Sequence, residues 1–285
     1  MPSRNVSAES IPIVAIGPHA SVGGCTNFVL VRRRFGSLNE FSSFATKLFG
    51  RFPAGEPHHF DFSEHPFFRN FVAERLEVKR ELHALSTALA LHHPHSVVSF
   101  SVFERARGYR RSGSEVVREP ALSNTGYVVT SEGWKVFSKV RCADGDARVL
   151  KRASSSPAER RLLGRTWARR AGYFKALKPP VVELGGRKVE HRVCRDANLP
   201  PGSEESLITV VSANEIPAGV YRLLSSKRKL VLVNDLNQED DHGRRAAAAG
   251  FNYHLDNYTE WDKSRGVKML KDLLARERVR IHLAG

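Results

Sequence analysis

Several histidines stand close to carboxylates and could together bind a metal ion. The residues concerned are His58, His59, Asp61, Glu64, His65, His92, His93 and His95. Imidazole and carboxylate groups are common ligands of zinc and other transition metals. However, no His-x-x-x-His pair stands on a predicted helix, and no second cluster has ligand spacing. The pattern favours histidines in loops and at helix ends, facing solvent or RNA, and the sequence predicts no metal and no cofactor.

One strand end and one glycine-rich turn are the places in the sequence that could carry catalytic residues. Asp235 ends the apolar run KLVLVND (229–235), where α/β enzymes often place a functional carboxylate. A turn-forming Asp before Asn237 is the more economical interpretation. The glycines of AIGPHASVGG (15–24) lack the GxGxxG spacing of a phosphate-binding loop, and no Ser/His/Asp combination sits in a nucleophile elbow. The sequence therefore predicts no catalytic residue.

The three cysteines are Cys25, Cys142 and Cys194. They are few, odd in number and far apart, so they predict neither a metal knuckle nor a disulfide framework. This usage fits a reducing interior compartment.

Positive charge is the strongest compositional signal. The chain has 285 residues and a net charge of +15, and residues 148–178 hold ten basic side chains against one acidic side chain, Glu159, a local charge of +9. Such a segment repels itself unless an anion neutralises it, and nucleic-acid phosphates gain further from counterion release. An anionic membrane surface is the competing partner. The predicted RNA-binding residues are Arg32, Arg33, Arg34, Arg105, Arg107, Arg110, Arg111, Lys151, Arg152, Arg160, Arg161, Arg165, Arg169, Arg170, Lys175 and Lys178.

The hydrophobic residues, 41% of the chain, are enough for a packed core in one large domain or two smaller ones. No apolar run approaches the roughly 18 to 20 residues that span a bilayer, so no membrane span is expected. Period-2 patterns predict strands at 27–34, 58–62, 97–105, 127–131, 134–140, 207–211, 229–235 and 279–283. Helical spacing and caps predict helices at 38–52, 66–91, 156–177 and 259–276. Prolines predict an extended arm at 1–26 and a linker within 179–201.

The middle of the chain resembles a known family. PFFRNFVAERL (66–76), HHPHSVVSFSVFERARG (92–108) and PALSNTGYVVTSEGWKVFSKV (120–140) follow the order helix, strand, basic turn, proline and hairpin. This order resembles the thioredoxin-like domain of certain mitochondrial ribosomal proteins and of a small accessory subunit of respiratory complex I. Residues 27–52 could alternatively supply its first strand and helix. A redox thioredoxin needs Cys-x-x-Cys at the first strand–helix junction, and residues 62–66 contain no sulfur.

The resemblance implies an α/β fold, with a thioredoxin-like mixed sheet and flanking helices at 27–145. Outside the resemblance, charge and periodicity predict a basic helix and linker at 146–203 and an α/β C-terminal extension at 204–285. The resemblance implies a non-enzymatic structural component of the mitochondrial ribosome, in the large subunit and in the matrix. Its partners would be rRNA and neighbouring ribosomal proteins, with no small-molecule substrate. The alternatives are an RNA-processing or RNA-modifying enzyme and a complex I accessory subunit.

Overall fold

In the described residues, the fold consists of two β-sheets that pack face to face, with two helices against the outer face of the first sheet and a third helix whose buried residues belong to the core shared with the second sheet. The computed structural model describes residues 11–18, 24–68, 71–112, 115–138, 179–198, 208–214, 230–236, 243–248, 250–256 and 265–285. Its helices are α1 (Leu38–Phe49), α2 (Arg75–His92) and α3 (Arg265–Arg276), and a 3₁₀ turn covers Cys194–Asn198. None of these described helices is long and apolar enough to cross a bilayer.

The first sheet contains eight strands in the described part of the chain. They are β1 (Ile13–Ile16), β2 (Thr26–Val31), β3 (His58–Asp61), β4 (Ala73–Glu74), β5 (Val97–Ser112), β6 (Glu115–Thr130), β7 (Gly133–Ser138) and β14 (Val279–Ala284). The order is β1-β14-β2-β3-β5-β6-β7, with β4 paired to β5. Strands β14, β2, β3 and β5 run parallel, and β1, β6 and β7 are antiparallel to their neighbours.

Among the residues that the structure describes, the second sheet contains six strands. They are β8 (Val181–Leu184), β9 (Arg187–Val193), β10 (Ile208–Ala213), β11 (Leu230–Asp235), β12 (Arg245–Ala248) and β13 (Phe251–His254). The order is β13-β12-β11-β10-β9-β8, and its centre, β9, β10 and β11, is parallel. Strands β10 and β11 are buried along their whole length, as their continuous apolar sequences require of central parallel strands.

Alternation along the strands of the first sheet separates two environments. On β2, Phe28 and Leu30 belong to the core between the sheets, whereas Val29 and Val31 pack against the helices. Helix α1 fits the helical side because its Ser37 N-cap accepts a hydrogen bond from Glu40 N and its apolar residues share one face. Strand β5 instead turns Ser99, with a fully buried side chain, towards the second sheet. The core between the sheets is therefore partly polar.

The predicted α/β class is confirmed, but the predicted thioredoxin-like sheet is wrong. The local order of strand, helix, strand and hairpin exists as β3, α2, β5, β6 and β7. However, β14 from the C-terminal end pairs with β2, and the parallel centre of this sheet continues through β3 to β5. A whole second sheet also covers its other face. Local periodicity cannot reveal such pairing between distant segments, because it reports only which face of each strand is buried.

Two predicted segments differ from the structure. Helix α2 begins at Arg75 and not near Pro66, because Phe67 packs into the aromatic cluster and β4 pairs with β5 before the helix starts. The stretch 179–201, predicted as a linker, contains β8, β9 and the 3₁₀ turn. Residues 146–178, which include the predicted basic helix, lie outside the described residues.

Phe41 holds the helix side of the core together. Its side chain is fully buried, and its ring contacts those of Phe35, Phe62, Phe67 and Phe100. We expect Phe41→Ala to lower the free energy of unfolding by about 3–5 kcal/mol, because it removes a ring and leaves a cavity.

Phe68→Ala is the matched control for urea unfolding, since the Phe68 side chain is 58% exposed. It should cost less than about 1 kcal/mol. Equal effects of the two substitutions would contradict this account of the core.

Buried histidines should make the fold sensitive to acid. Burial lowers the pKa of His191 to about 3 and that of His59 well below its ordinary value of 6.5. Below pH 6.5 these histidines are therefore protonated in the unfolded chain, whereas in the folded chain they stay neutral until the pH is much lower. Stability is full above pH 6.5 and should fall as the pH drops, by about 1.4 kcal/mol per pH unit for each such histidine.

The measurement is urea unfolding between pH 7.5 and 5. His191→Leu should reduce the pH dependence of the unfolding free energy by about one proton. His83→Leu, at an exposed position on α2, should leave that slope almost unchanged. An unaltered slope in the His191 variant would show that this side chain is already protonated in the fold.

Candidate active site

The carboxyl ends of parallel strands from both sheets meet at one place. The Ser63 hydroxyl, just after β3, lies 2.5 Å from the Ala213 carbonyl oxygen at the end of β10 and 2.6 Å from that of Asn234 on β11. The Asn234 amide donates to the carbonyl oxygens of Val31 on β2 and Asp61 on β3. Carboxyl ends of parallel strands are where open α/β sheets place ligands.

Asp61 fixes the contact between the sheets. Its Oδ1 accepts hydrogen bonds of 2.6 Å from the hydroxyls of Ser99 on β5 and Ser212 on β10. His59 Nε2 lies 2.9 Å from the Ser99 hydroxyl, and the ring of His59 lies 4.5 Å from that of His191 on β9. Burial raises the pKa of Asp61, and the hydroxyl hydrogen bonds oppose this rise only in part. This polar layer sets the register of one sheet on the other.

Glu64 is a buried carboxylate held by groups from both sheets. Its Oε1 accepts a 2.8 Å hydrogen bond from the amide of Asn124 on β6. Its Oε2 accepts a 3.0 Å hydrogen bond from the backbone N–H of Asn214, directly after β10. The side chain is only 2% exposed. A carboxylate fixed at both oxygens in this way is well placed to accept or donate a proton at the strand ends.

Cys194 follows β9 directly and opens the 3₁₀ turn. Val193 stands opposite Ser212 in the parallel β9–β10 pair, so Cys194 and Ala213 are the next residues along the two neighbouring segments. Asn214, whose N–H holds Glu64, comes directly after β10. Cys194, whose thiol is a possible nucleophile, and the hydrogen-bond donor that holds Glu64 therefore lie at the same edge of the sheet on neighbouring segments.

Backbone strain concentrates at this edge. In the described residues, four non-glycine residues have positive φ, and three of them are Ser63 (70°), His65 (48°) and Cys194 (46°). Left-handed conformations of such residues persist only where the surroundings over-determine them, and they cluster at functional sites. A residue with a strained backbone directly after a strand, as Cys194 is after β9, is one element of the nucleophile elbow.

A fully buried ion pair supports the turn that carries Cys194. Arg192 is 1% exposed, and it pairs with Glu190 through Nε–Oε2 (2.8 Å) and Nη2–Oε1 (3.2 Å) contacts. Its Nη1 donates to the carbonyl oxygens of Asp196 and Ala197 in the 3₁₀ turn. The guanidinium thus ties the end of β9 to the turn that follows, and so fixes the backbone around Cys194.

His65 stands beside Glu64 but is poorly suited to carry a proton. Burial lowers its pKa to about 3, and the nearby Arg34 guanidinium lowers it further. Its Nδ1 accepts a hydrogen bond from Phe103 N at 3.4 Å. His65 therefore stays neutral at physiological pH, which leaves Glu64 as the acid–base candidate of this loop.

The histidines predicted to face solvent divide into two groups. His58, His59, His65 and His93 are buried, whereas His92 and His95 are exposed. The interpretation is therefore wrong for the first four, because the strands and loops that carry them lie inside the core. In the described part of the chain, no three His, Cys, Asp or Glu side chains are grouped so as to hold a metal ion. Asp235 is fully buried at the end of β11.

The structure does not bring the predicted RNA-binding arginines together. Arg32 pairs with Asp256, Arg33 with Glu40 and Arg105 with Glu74, while Arg34 binds the strand ends. The side chains of Arg107, Arg110 and Arg111, and all of Lys151, Arg152, Arg160, Arg161, Arg165, Arg169, Arg170, Lys175 and Lys178, lie outside the described residues. Binding of a polyanion by these residues stays a prediction.

Sequence reasoning named Glu64 only as a possible metal ligand and Cys194 only as an isolated cysteine, and it missed Asn124. The signal for Glu64 was its place two residues after a strand, in Phe62-Ser63-Glu64, and the signal for Cys194 was the alternating run RKVEHRVC (187–194). The second run was hidden between two proline pairs and was interpreted as a linker. Nothing in the sequence indicates that Asn124, sixty residues after Glu64, binds it.

No protein-family model and no curated protein sequence matches the chain. Solved structures resemble it weakly. XC1258 from Xanthomonas campestris, described as a CN-hydrolase superfamily protein with an arsenic adduct in the active site, has a TM-score of 0.44 and 11% identity over 85% of each chain. An amidase from Nesterenkonia sp. has a TM-score of 0.42 and 12% identity over 79% of this chain and 83% of the amidase. The glutamine-dependent NAD⁺ synthetase from Acinetobacter baumannii has a TM-score of 0.45 and 12% identity, over 85% of this chain and 43% of the synthetase.

These findings correct the predicted identity. The three similar structures are described as a CN-hydrolase superfamily protein, an amidase and an NAD⁺ synthetase, and none of the three is a thioredoxin-like ribosomal protein. The predicted family, the non-enzymatic role in the mitochondrial ribosome, its rRNA and ribosomal-protein partners and the absence of a small-molecule substrate are therefore wrong. The mitochondrial location stays a prediction. Because each similarity rests on 11 or 12% identical residues, the chemistry has to come from this chain's own side chains.

The Glu190–Arg192 pair gives a stability prediction. Arg192→Met leaves the buried Glu190 carboxylate and two carbonyl oxygens without the guanidinium, so we expect a loss of about 3–5 kcal/mol in urea unfolding. The double variant Glu190→Gln/Arg192→Met should recover part of this loss, because no buried charge remains.

Arg276→Met is the control, since that guanidinium is 69% exposed beside Glu277 and its ion pair is worth less than about 1 kcal/mol. If Arg192→Met were as mild as the control, the pair would not support the turn.

Proposed function

We propose that this protein is a cysteine-dependent hydrolase of a small acyl compound, an amide or an ester. Cys194 is the nucleophile and Glu64 the general base and acid. The observation that carries the proposal is their arrangement: a strained cysteine directly after β9 and a buried carboxylate in the loop after β3 stand at the same edge of the sheets, and Asn214, directly after β10, donates its backbone N–H to the carboxylate.

The first half-reaction forms a thioester. Glu64 accepts the proton of the Cys194 thiol while sulfur attacks the carbonyl carbon of the substrate. The tetrahedral intermediate collapses, the bond to nitrogen or oxygen breaks, and the leaving amine or alcohol takes the proton back from Glu64. The acyl group is then bound to Cys194.

The second half-reaction restores the cysteine. Glu64 removes a proton from water, which attacks the thioester carbon, and the proton goes to the departing Cys194 sulfur. The product is a carboxylic acid. One carboxylate serves both halves because the proton it takes in each step is returned in the same step.

The groups around Cys194 and Glu64 support these roles of nucleophile and general base. The two oxygens of Glu64 are held by Asn124 and Asn214, so the carboxylate keeps one orientation through both half-reactions. The hydrogen bonds from Arg192 to the 3₁₀ turn keep the backbone of Cys194 in its left-handed conformation. Such preorganisation is what makes a weak acid–base group and a thiol effective together.

The first test measures hydrolysis of p-nitrophenyl acetate, p-nitrophenyl butyrate and acetyl-p-nitroanilide. Cys194→Ala should lower turnover at least about 10³-fold, because it removes the nucleophile. Glu64→Gln should lower it about 10²-fold or more, because the amide cannot take the proton.

Cys25→Ala is the matched control, since Cys25 is also a buried free cysteine and lies outside the strand-end site. It should retain turnover. Intact mass spectrometry after rapid acid quenching should detect the acyl adduct on wild-type protein and not on Cys194→Ala. Equal turnover by Cys194→Ala and wild-type protein would exclude the proposed nucleophile.

A further inference from the structure

Arg34 binds the ends of several strands at once. It follows β2, and its Nη1 donates to the carbonyl oxygen of Phe67 in the loop after β3 at 3.1 Å. Its Nη2 donates to Asn214 Oδ1 after β10 at 3.0 Å and to the carbonyl oxygen of Leu236 after β11 at 3.3 Å. One guanidinium thus joins loops from both sheets at the edge that carries Glu64 and Cys194.

The contact with Asn214 leads directly to the acid–base group. Asn214 receives Arg34 on its side-chain oxygen and donates its backbone N–H to Glu64 Oε2. Fixing the side chain of Asn214 also restricts rotation of its backbone, and so the direction in which the N–H points. The chain of contacts runs from Arg34 through Asn214 to Glu64.

We infer that Arg34 is a positioning residue for the proposed reaction, acting on Glu64 through Asn214. The inference rests on the proposed function of Glu64 and Cys194. The role suits arginine and not lysine, because a planar fork presents donors in several fixed directions, whereas an ammonium offers donors from one point.

The expected effect is on the rate of chemistry and not on substrate binding. Arg34→Gln leaves Asn214 free to rotate, so Glu64 spends less time in the productive orientation. With p-nitrophenyl acetate, kcat should fall about 10- to 100-fold, while KM stays within about threefold. Arg34→Lys should restore only a small part of kcat.

A double-mutant cycle tests the route through Asn214. Asn214→Ala removes the oxygen that Arg34 binds but keeps the backbone N–H that holds Glu64. If Arg34 acts through this oxygen, Arg34→Gln/Asn214→Ala should be no slower than the slower single variant. Fully additive losses, or a rise in KM with unchanged kcat, would overturn the inference.

The matched control is Arg33→Gln. Arg33 is the preceding residue, but it pairs with Glu40 and lies 4.7 Å from the Phe44 ring centre, on the helix side. Its replacement should leave kcat within about twofold. A loss equal to that of Arg34→Gln would show a general need for positive charge, and would overturn the specific role.

Alkylation by iodoacetamide separates this inference from the proposed function. Cys194 should be alkylated more slowly in Arg34→Gln, because the base that accepts its proton is less well held, and Cys25 should be unaffected. If Cys194→Ala keeps full turnover, the proposed function fails. If Cys194 is required and Arg34→Gln matches wild type in kcat and alkylation, only the role of Arg34 fails.

Discussion

The fold depends on a polar contact between two sheets that is buried and hydrogen-bonded. Asp61 on β3 accepts from Ser99 in its own sheet and from Ser212 in the other, while Asn234 donates back to the carbonyl oxygen of Asp61. Burying a polar group costs free energy when it has no hydrogen-bond partner. When it is paired, the direction of its hydrogen bonds limits how the two surfaces can pack. A purely apolar interface would tolerate sliding of one sheet on the other, whereas these hydrogen bonds allow one register. The carboxyl ends of β3 and β10 are aligned for this reason.

Alignment of the sheets makes the strained residues possible. Ser63 has a φ of 70°, and its hydroxyl bridges towards Ala213 and Asn234 across the interface. The inter-sheet hydrogen bonds offset the local cost of the left-handed backbone, which is on the order of 1–3 kcal/mol. The loop after β3 is thereby bent so that Glu64 points to Asn124 and Asn214 and not to solvent.

The sequence was sufficient for local structure and insufficient for the site, and the difference has a physical cause. The spacing of Leu38, Phe41, Ala45 and Leu48 predicts α1, and the run KLVLVND predicts β11, because burial of one face or of a whole strand leaves a periodic signal. Pairing of β14 with β2, some 250 residues apart, leaves no local signal. The hydrogen bond between Glu64 and Asn124 also leaves no local signal, because nothing in the sequence distinguishes Asn124 from the other asparagines.

Charge misled the functional interpretation for a related reason. A net charge of +15 is a property of the whole chain, and it does not indicate which arginines already bind carboxylates or carbonyl groups of the protein itself. Arg34, three residues after β2, donates to the carbonyl oxygens of Phe67 in the loop of Glu64 and of Leu236 after β11. Arg192 on β9 donates to the carbonyl oxygens of Asp196 and Ala197 in the turn that Cys194 opens. Arginine suits this use because its donors satisfy carbonyl groups that strand ends leave without a ladder partner. In this protein a part of the basic composition thus serves to hold the backbone at the strand ends, and the geometry of Glu64 and Cys194 depends on it.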